Sequence, residues 1–156
     1  MQKPAVTSLR IISGGQTGVD RAALDIAIEL GLEHGGWCPQ GRRAEDGSIP
    51  SHYLLRETAE YDYSSRTRLN VKEADGTLLL YRGKLEGGSE LTLHFAGEMH
   101  KPVLIVDLDN PVAAGTVKDW LHRHHIGTLN IAGPRESKHP GIYRQAAALL
   151  RRILSE

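Results

Sequence analysis

Two stretches decide most of what this chain can become. "TLLLY" (77–81) and "PVLIVDL" (102–108) are apolar almost without interruption. A strand with one wet face alternates apolar and polar side chains, so an unbroken run needs cover on both faces. Between the two runs "ELTLHFAGEMH" (90–100) reads as a helix. Buried strand, helix, buried strand is the order of a parallel sheet wrapped by helices. The rest of the chain continues the alternation. "LRIIS" (9–13) and "TLNIAG" (128–133) read as further strands, and "HGGWC" (34–38) as a short one. "VDRAALDIAIELG" (19–31) sets Val19, Ala22, Ala23, Ile26, Ala27 and Leu30 at helical spacing, with Gly31 as the stop. Helices are also expected over about 63–73 behind the cap Asp62, over 113–125 and over 143–154. The expected fold is α/β, a doubly wound parallel sheet of five main strands in three α/β/α layers. One domain, 1–156, accounts for the whole length. A domain of this size buries ~70% of the surface its unfolded chain exposes, so it folds without disulfide or structural metal.

In an open parallel sheet, ligands bind beyond the carboxyl ends of the strands. Here those ends carry "GGQTGVD" (14–20), "PQGRRAEDG" (39–47), "RGKLEGGSE" (82–90) and "AGPRES" (132–137). The first places Gly14, Gly15, Gln16, Thr17 and Gly18 between a strand and a helix. Loop amides there, with the first turn of the helix, form an expected cradle for phosphate or another oxyanion. The plain alternative is a tight strand-to-helix turn. The loop matches neither the dinucleotide fingerprint nor the lysine-containing phosphate loop. Asp20, in the first turn of the helix, either complements the dipole or binds a ligand N–H, hydroxyl or metal. "GGSE" repeats the device with Gly87, Gly88, Ser89 and Glu90. Ser89 is expected to cap a helix that starts near Glu90, and Glu90 is a further acceptor for a ligand. Arg66, with Asn70 one turn later, is a candidate anion clamp, as is Arg135. Arg42 and Arg43 sit in the long aperiodic stretch 39–62, which is expected to close over the ligand as a lid. For each arginine the plain alternative is solvated surface charge.

Charge sets limits on partners. Lys plus Arg and Asp plus Glu number 19 each, so no global field exists to capture nucleic acid. Anion binding has to come from local geometry. The single cysteine, Cys38, leaves no internal disulfide and reads as a small buried hydrophobe, in keeping with a reducing cytoplasm. His122 and His125 share a helix face, yet no carboxylate or cysteine completes a metal set. No apolar run is long enough to span a membrane, and "MQKPAVTSLR" lacks a signal-peptide core.

"IISGGQTGVDRAALDIAIELG", "GGWCPQGRRAEDG", "RTRLNVKEADGTLLL", "GGSELT", "KPVLIVDLD" and "LNIAGPRES" together resemble the molybdenum cofactor carrier family. The resemblance covers nearly the whole chain. It implies a Rossmann-like fold within the lysine decarboxylase-like group that includes the cytokinin-activating phosphoribohydrolases. It implies binding of molybdenum cofactor (molybdopterin), molybdate or a similar small phosphorylated ligand, and a homo-oligomer. Gly14, Gly15, Gln16, Thr17, Gly18 and Asp20 match the family's first loop. Gly87, Gly88, Ser89, Glu90 and Thr92 match its second, and Arg66 and Asn70 the helix between them. The hydrolase branch carries Pro-Gly-Gly-x-Gly-Thr-x-x-Glu, whereas this chain has "EGGSELTLH", with His94 at the place of the hydrolytic glutamate. That departure favours a binding protein over a phosphoribohydrolase-type enzyme, while a nucleotide sensor acting through a partner protein stays as an alternative.

Overall fold

The computed structural model describes residues 9–155. Most of the N-terminal stretch "MQKPAVTSLR" therefore lies outside the described residues. The elements run β1 (Arg10–Ile12), α1 (Val19–Glu29), β2 (Glu33–Gly35), β3 (Trp37–Cys38), β4 (Arg43–Ala44), β5 (Gly47–Ser48), β6 (Arg56–Glu57), α2 (Tyr63–Glu73), β7 (Gly76–Tyr81), α3 (Gly88–Glu98), β8 (Val103–Asp107), α4 (Ala114–Arg123), β9 (Thr128–Ala132) and α5 (Ile142–Leu154). Five strands form one sheet in the order β2-β1-β9-β7-β8, and all its pairings are parallel. The fold is α/β and Rossmann-like.

The apolar runs behave as their composition requires. In β7, Gly76 through Leu80 are all buried. Helices α1 and α5 pack together on one face with α4 beside α5, while α2 and α3 pack together on the other. Crossings toward β2 or back from β8 thus share one face, and crossings in the opposite sense share the other. A single hand of crossover demands that division. The main core spans the α1, α4 and α5 side, where Ala22, Ala23 and Ala27 of α1 and Ala146 and Ala147 of α5 join large residues such as Ile11, Leu78, Ile131 and Leu150.

The last strand enters the sheet at its centre, between β1 and β7. If β9 and α5 are counted as the first unit, the order becomes 3-2-1-4-5, the order typical of Rossmann sheets. The chain therefore has a familiar architecture entered one unit late. No described helix is long and apolar enough to cross a membrane.

Three expectations are corrected. The predicted strand 34–38 is two strands, because Gly36 at φ 128 turns the chain between Gly35 and Trp37. Stretch 39–62 is built rather than structureless. It contains the β4–β5 pair and β6, which pairs with β3. Its own apolar cluster joins Cys38, Ala44, Ile49 and Tyr53 with Leu24 of α1. Helix α3 starts at Gly88, with Gly87 as its cap, so Ser89 lies inside the first turn and caps nothing.

Candidate functional site

A pocket of about 300 Å³ opens at the carboxyl end of the sheet, above β1, β9 and β7. This is where the strand order reverses when β9 is counted first, the place where open α/β sheets bind ligands. Its walls come from the loop after β1 (Gly14, Gln16, Asp20), α2 (Tyr63, Arg66, Thr67, Asn70), the start of α3 (Glu86 to Ser89, Leu91, Thr92) and β9 with its following loop (Asn130, Arg135, Lys138, His139).

The first glycine loop is largely filled by the protein itself. A Cβ on Gly14 would collide with the Arg66 guanidinium. One on Gly15, at φ 78, would come within 2.6 Å of Leu55 Cδ1 and 2.9 Å of Ile49 Cδ1. One on Gly18 would strike the Pro134 carbonyl and the Glu136 amide nitrogen. These glycines let helix α2, stretch 39–62 and the β9 loop close onto the turn. Four of the six amides from Gly14 to Val19 are spoken for as well, leaving Gly14 N and Gly18 N without a partner among the described residues. Gly15 N donates to Ser13 Oγ (3.4 Å), Gln16 N to Asp20 Oδ2 (3.4 Å), Thr17 N to Gln16 Oε1 (3.0 Å) and Val19 N to Pro134 O (3.2 Å). The expectation of a run of free amides from Gly14 to Val19 is therefore corrected. Gly15, Thr17 and Gly18 do not line the pocket. A valine at Gly15 would test packing rather than ligand binding.

The second glycine loop differs. Helix α3 has no side-chain cap. In its first turn only Ser89 N, to Glu86 O (3.2 Å), and Leu91 N, to Gly87 O (3.1 Å), are bonded among the described residues. A Cβ on Gly88 would meet nothing within 4 Å. The glycine leaves bare backbone facing the pocket, with open room above it. Ser89 is 5% exposed, lines the pocket, and its hydroxyl has no hydrogen-bond partner among the described residues. Thr92 Oγ1 donates to Gly88 O (2.9 Å) and steadies the turn. Glu90 points elsewhere: it is exposed and absent from the pocket wall, which corrects its assignment as a ligand acceptor.

Across the pocket floor, Arg66 Nη1 donates to Asp20 Oδ2 at 2.8 Å. Both residues are buried, and Arg66 lies over Tyr63, 5.2 Å from its ring centre. Burial pushes the Asp20 carboxyl above its ordinary range, against the opposing pull of Arg66, the Gln16 amide and Arg21. Asn70 also lines the pocket, but its amide is committed. Its Oδ1 accepts from Trp37 N (2.8 Å) and its Nδ2 donates to Trp37 O (3.0 Å), which fixes α2 to β3.

The remaining arginines separate. Arg135 lines the pocket, and its Nε lies 3.4 Å from Glu45 Oε1, buried but without a formed hydrogen bond. Arg42 does not reach the pocket. Its guanidinium donates to the carbonyls of Ile49 (2.9 Å), Pro50 (2.6 Å), Tyr53 (2.9 Å) and Leu55 (3.4 Å), so it is a staple of its own segment. Arg43 is likewise held by Tyr61 O and stacked on Tyr63. Glu45 ties that segment to both neighbouring loops, accepting from Thr17 Oγ1, Ser137 Oγ and Ser137 N. Gln16 Oε1 in turn accepts from Glu45 N (2.9 Å). His122 and His125 are exposed, and no metal-binding group of three or more His, Cys, Asp or Glu occurs among the described residues.

Several wall residues escaped the sequence reading: Asn130, Tyr63, Thr67, Lys138 and His139. Asn130 left a trace, as the one amide in the apolar run "TLNIAG". It is 2% exposed and donates from Nδ2 to Thr77 Oγ1 (3.2 Å).

Residues 11–154 match the model of the circularly permutated YpsA SLOG family. The chain belongs to that family. The late-entering β9–α5 unit is what a circular permutation of the usual strand order produces. No curated protein matches the chain. Among solved structures, the family fold appears in the crystal structure of a "Putative molybdenum carrier protein" from Syntrophus aciditrophicus SB. It is 50% identical, has a TM-score of 0.93, and is aligned over 99% of this chain and 98% of that one.

Proposed function

We propose that the pocket holds a small oxyanion-bearing ligand, the molybdenum cofactor or a close chemical relative, as cargo to be bound and released unchanged. The observation that carries this reading is the uncapped start of α3, with open space above Gly88 and the unpartnered Ser89 hydroxyl beside it. Helix N-termini favour negative charge through unpaired amides and the helix dipole. Arg135 and Lys138 on the opposite wall add cationic character. The cofactor's phosphate fits this end. The kinship with the Syntrophus protein points to the same ligand class.

Gly88→Val is the direct test. Nothing in the protein opposes the new side chain, so thermal stability should change by no more than about 1 kcal/mol. The side chain would fill the cradle. Affinity for the cofactor under anaerobic conditions should fall at least about tenfold, as expected for loss of one charge-assisted hydrogen bond. The wild type should return the ligand intact. Unchanged affinity in a folded variant, or sustained conversion of the ligand by the wild type, would contradict the proposal.

A further inference from the structure

Asp20 occupies the kind of place a bound oxyanion would take. Its carboxylate lies in the first turn of α1, accepts from the Gln16 amide and lies 2.8 Å from the Arg66 guanidinium inside the pocket. Helix start, backbone N–H and guanidinium are the three supports that oxyanion sites use. The pair is largely withdrawn from bulk water, with Asp20 5% and Arg66 8% exposed, and reaches solvent through the pocket. It is also incompletely used. Arg66 donates from Nε to Tyr63 O and from Nη1 to Asp20, while Nη2 has no partner among the described residues.

We propose that Asp20 is a resident stand-in for a ligand oxyanion on Arg66, and that an incoming oxyanion takes its place there while Asp20 takes up one proton from solvent. The inference rests on the reading that this pocket takes an oxyanion, and adds a second anion contact to the one at α3. A buried arginine offers one positive charge. Two anions beside it in a dry site repel strongly, and one of them must be neutralised. A carboxylate can accept the proton, whereas sulfate and molybdate stay fully ionised near neutral pH. Burial already favours the protonated form of Asp20.

Other charged groups surround the pair. Arg21 follows Asp20 on α1 and Glu86 precedes α3, while Arg135, Lys138 and His139 follow β9. Histidine is the side-chain type that changes charge near neutrality, so His139 needs a control.

Sulfate binding measured by calorimetry between pH 6 and 9, in buffers of different ionisation enthalpy, tests the proposal. The wild type and His139→Asn should take up about one proton per sulfate, and Asp20→Asn none. Where free Asp20 is ionised, wild-type affinity should fall by up to about tenfold per pH unit. Asp20→Asn should bind with little pH dependence and more tightly than wild type at pH 9. Sulfate binding without proton uptake in the wild type that persists in Gly88→Val, where the α3 cradle is filled, or uptake retained in Asp20→Asn, overturns the proposal. So does weaker binding by Asp20→Asn at every pH, which would make Asp20 a partner of ligand donors. If neither protein binds sulfate at any pH, the oxyanion reading of the pocket itself fails, and this inference with it.

Discussion

Arg66 and Asp20 form the one ion pair among the described residues with both partners buried, a costly contact to disturb from one side. A buried ion pair adds little net stability, but removing one partner leaves an uncompensated charge. Arg66→Met should therefore cost roughly 3–5 kcal/mol at pH 7.5. Burial holds the folded Asp20 carboxyl above its usual 3.8. A carboxyl raised by folding weakens the fold as pH rises through its folded value, and the penalty disappears below the unfolded one. Without Arg66 that rise grows. The stability gap between wild type and Arg66→Met should narrow as the pH falls from 7.5 to 5, as read by urea unfolding. A gap that widens on acidification would mean that Asp20 is held charged by something other than Arg66. The same residue type serves opposite ends at Gly15 and Gly88. At Gly15 the protein fills the missing side chain's place, and at Gly88 it leaves the place open. The sequence shows both as glycines after a strand. Only the neighbours, Ile49 and Leu55 in one case and empty space in the other, tell them apart.

Among the elements, the strands and helices were legible because burial writes itself into composition. "TLLLY" had to be covered on both faces, and β7 is. Stretch 39–62 was not legible, because its order comes from contacts that leave no period. Arg42 closes it by donating to four carbonyls within the segment, and Glu45 latches it to loops before α1 and after β9. Burial works to raise the Glu45 carboxyl, yet the hydrogen bonds from Ser137 and Thr17 and the charge of Arg135 hold it below its ordinary range. The latch is thus present above about pH 4.5 and is lost as pH falls through the lower folded value. Arg42→Ala should speed amide exchange at Ile49, which donates to Arg42 O, and at Arg56 and Thr58, which tie the segment to Gly36 O and Cys38 O. Amides of β7 and β9 should keep their protection. Uniform acceleration through the sheet would show that the segment does not open on its own.

For the whole molecule, the order β2-β1-β9-β7-β8 means that chain order and spatial order are out of step by one βα unit. If the fold is set by packing rather than by where the chain begins, the permutation can be undone. A chain opened in the 124–127 turn, with its present termini joined by a flexible linker, should give the same sheet and a similar unfolding midpoint. Circular dichroism and thermal melting check this, and a molten or unfolded product would contradict it. The sequence pointed to the edge of the sheet where the pocket opens, since four of the strand ends there carry glycine and charge. It could not rank the two glycine loops, because the side chains that fill the first come from elements distant in sequence. The central claim is that ranking: of the two glycine loops, the one at the start of α3 is the anion cradle, and the contact at Arg66 is additional to it. Backbone amide shifts recorded by NMR during a molybdate titration test it most directly. The account predicts the largest saturable shifts at Gly88 and Ser89, with Gly15 and Thr17 nearly unmoved. Saturable shifts concentrated at Gly15 to Gly18, with Gly88 and Ser89 unmoved, would contradict it.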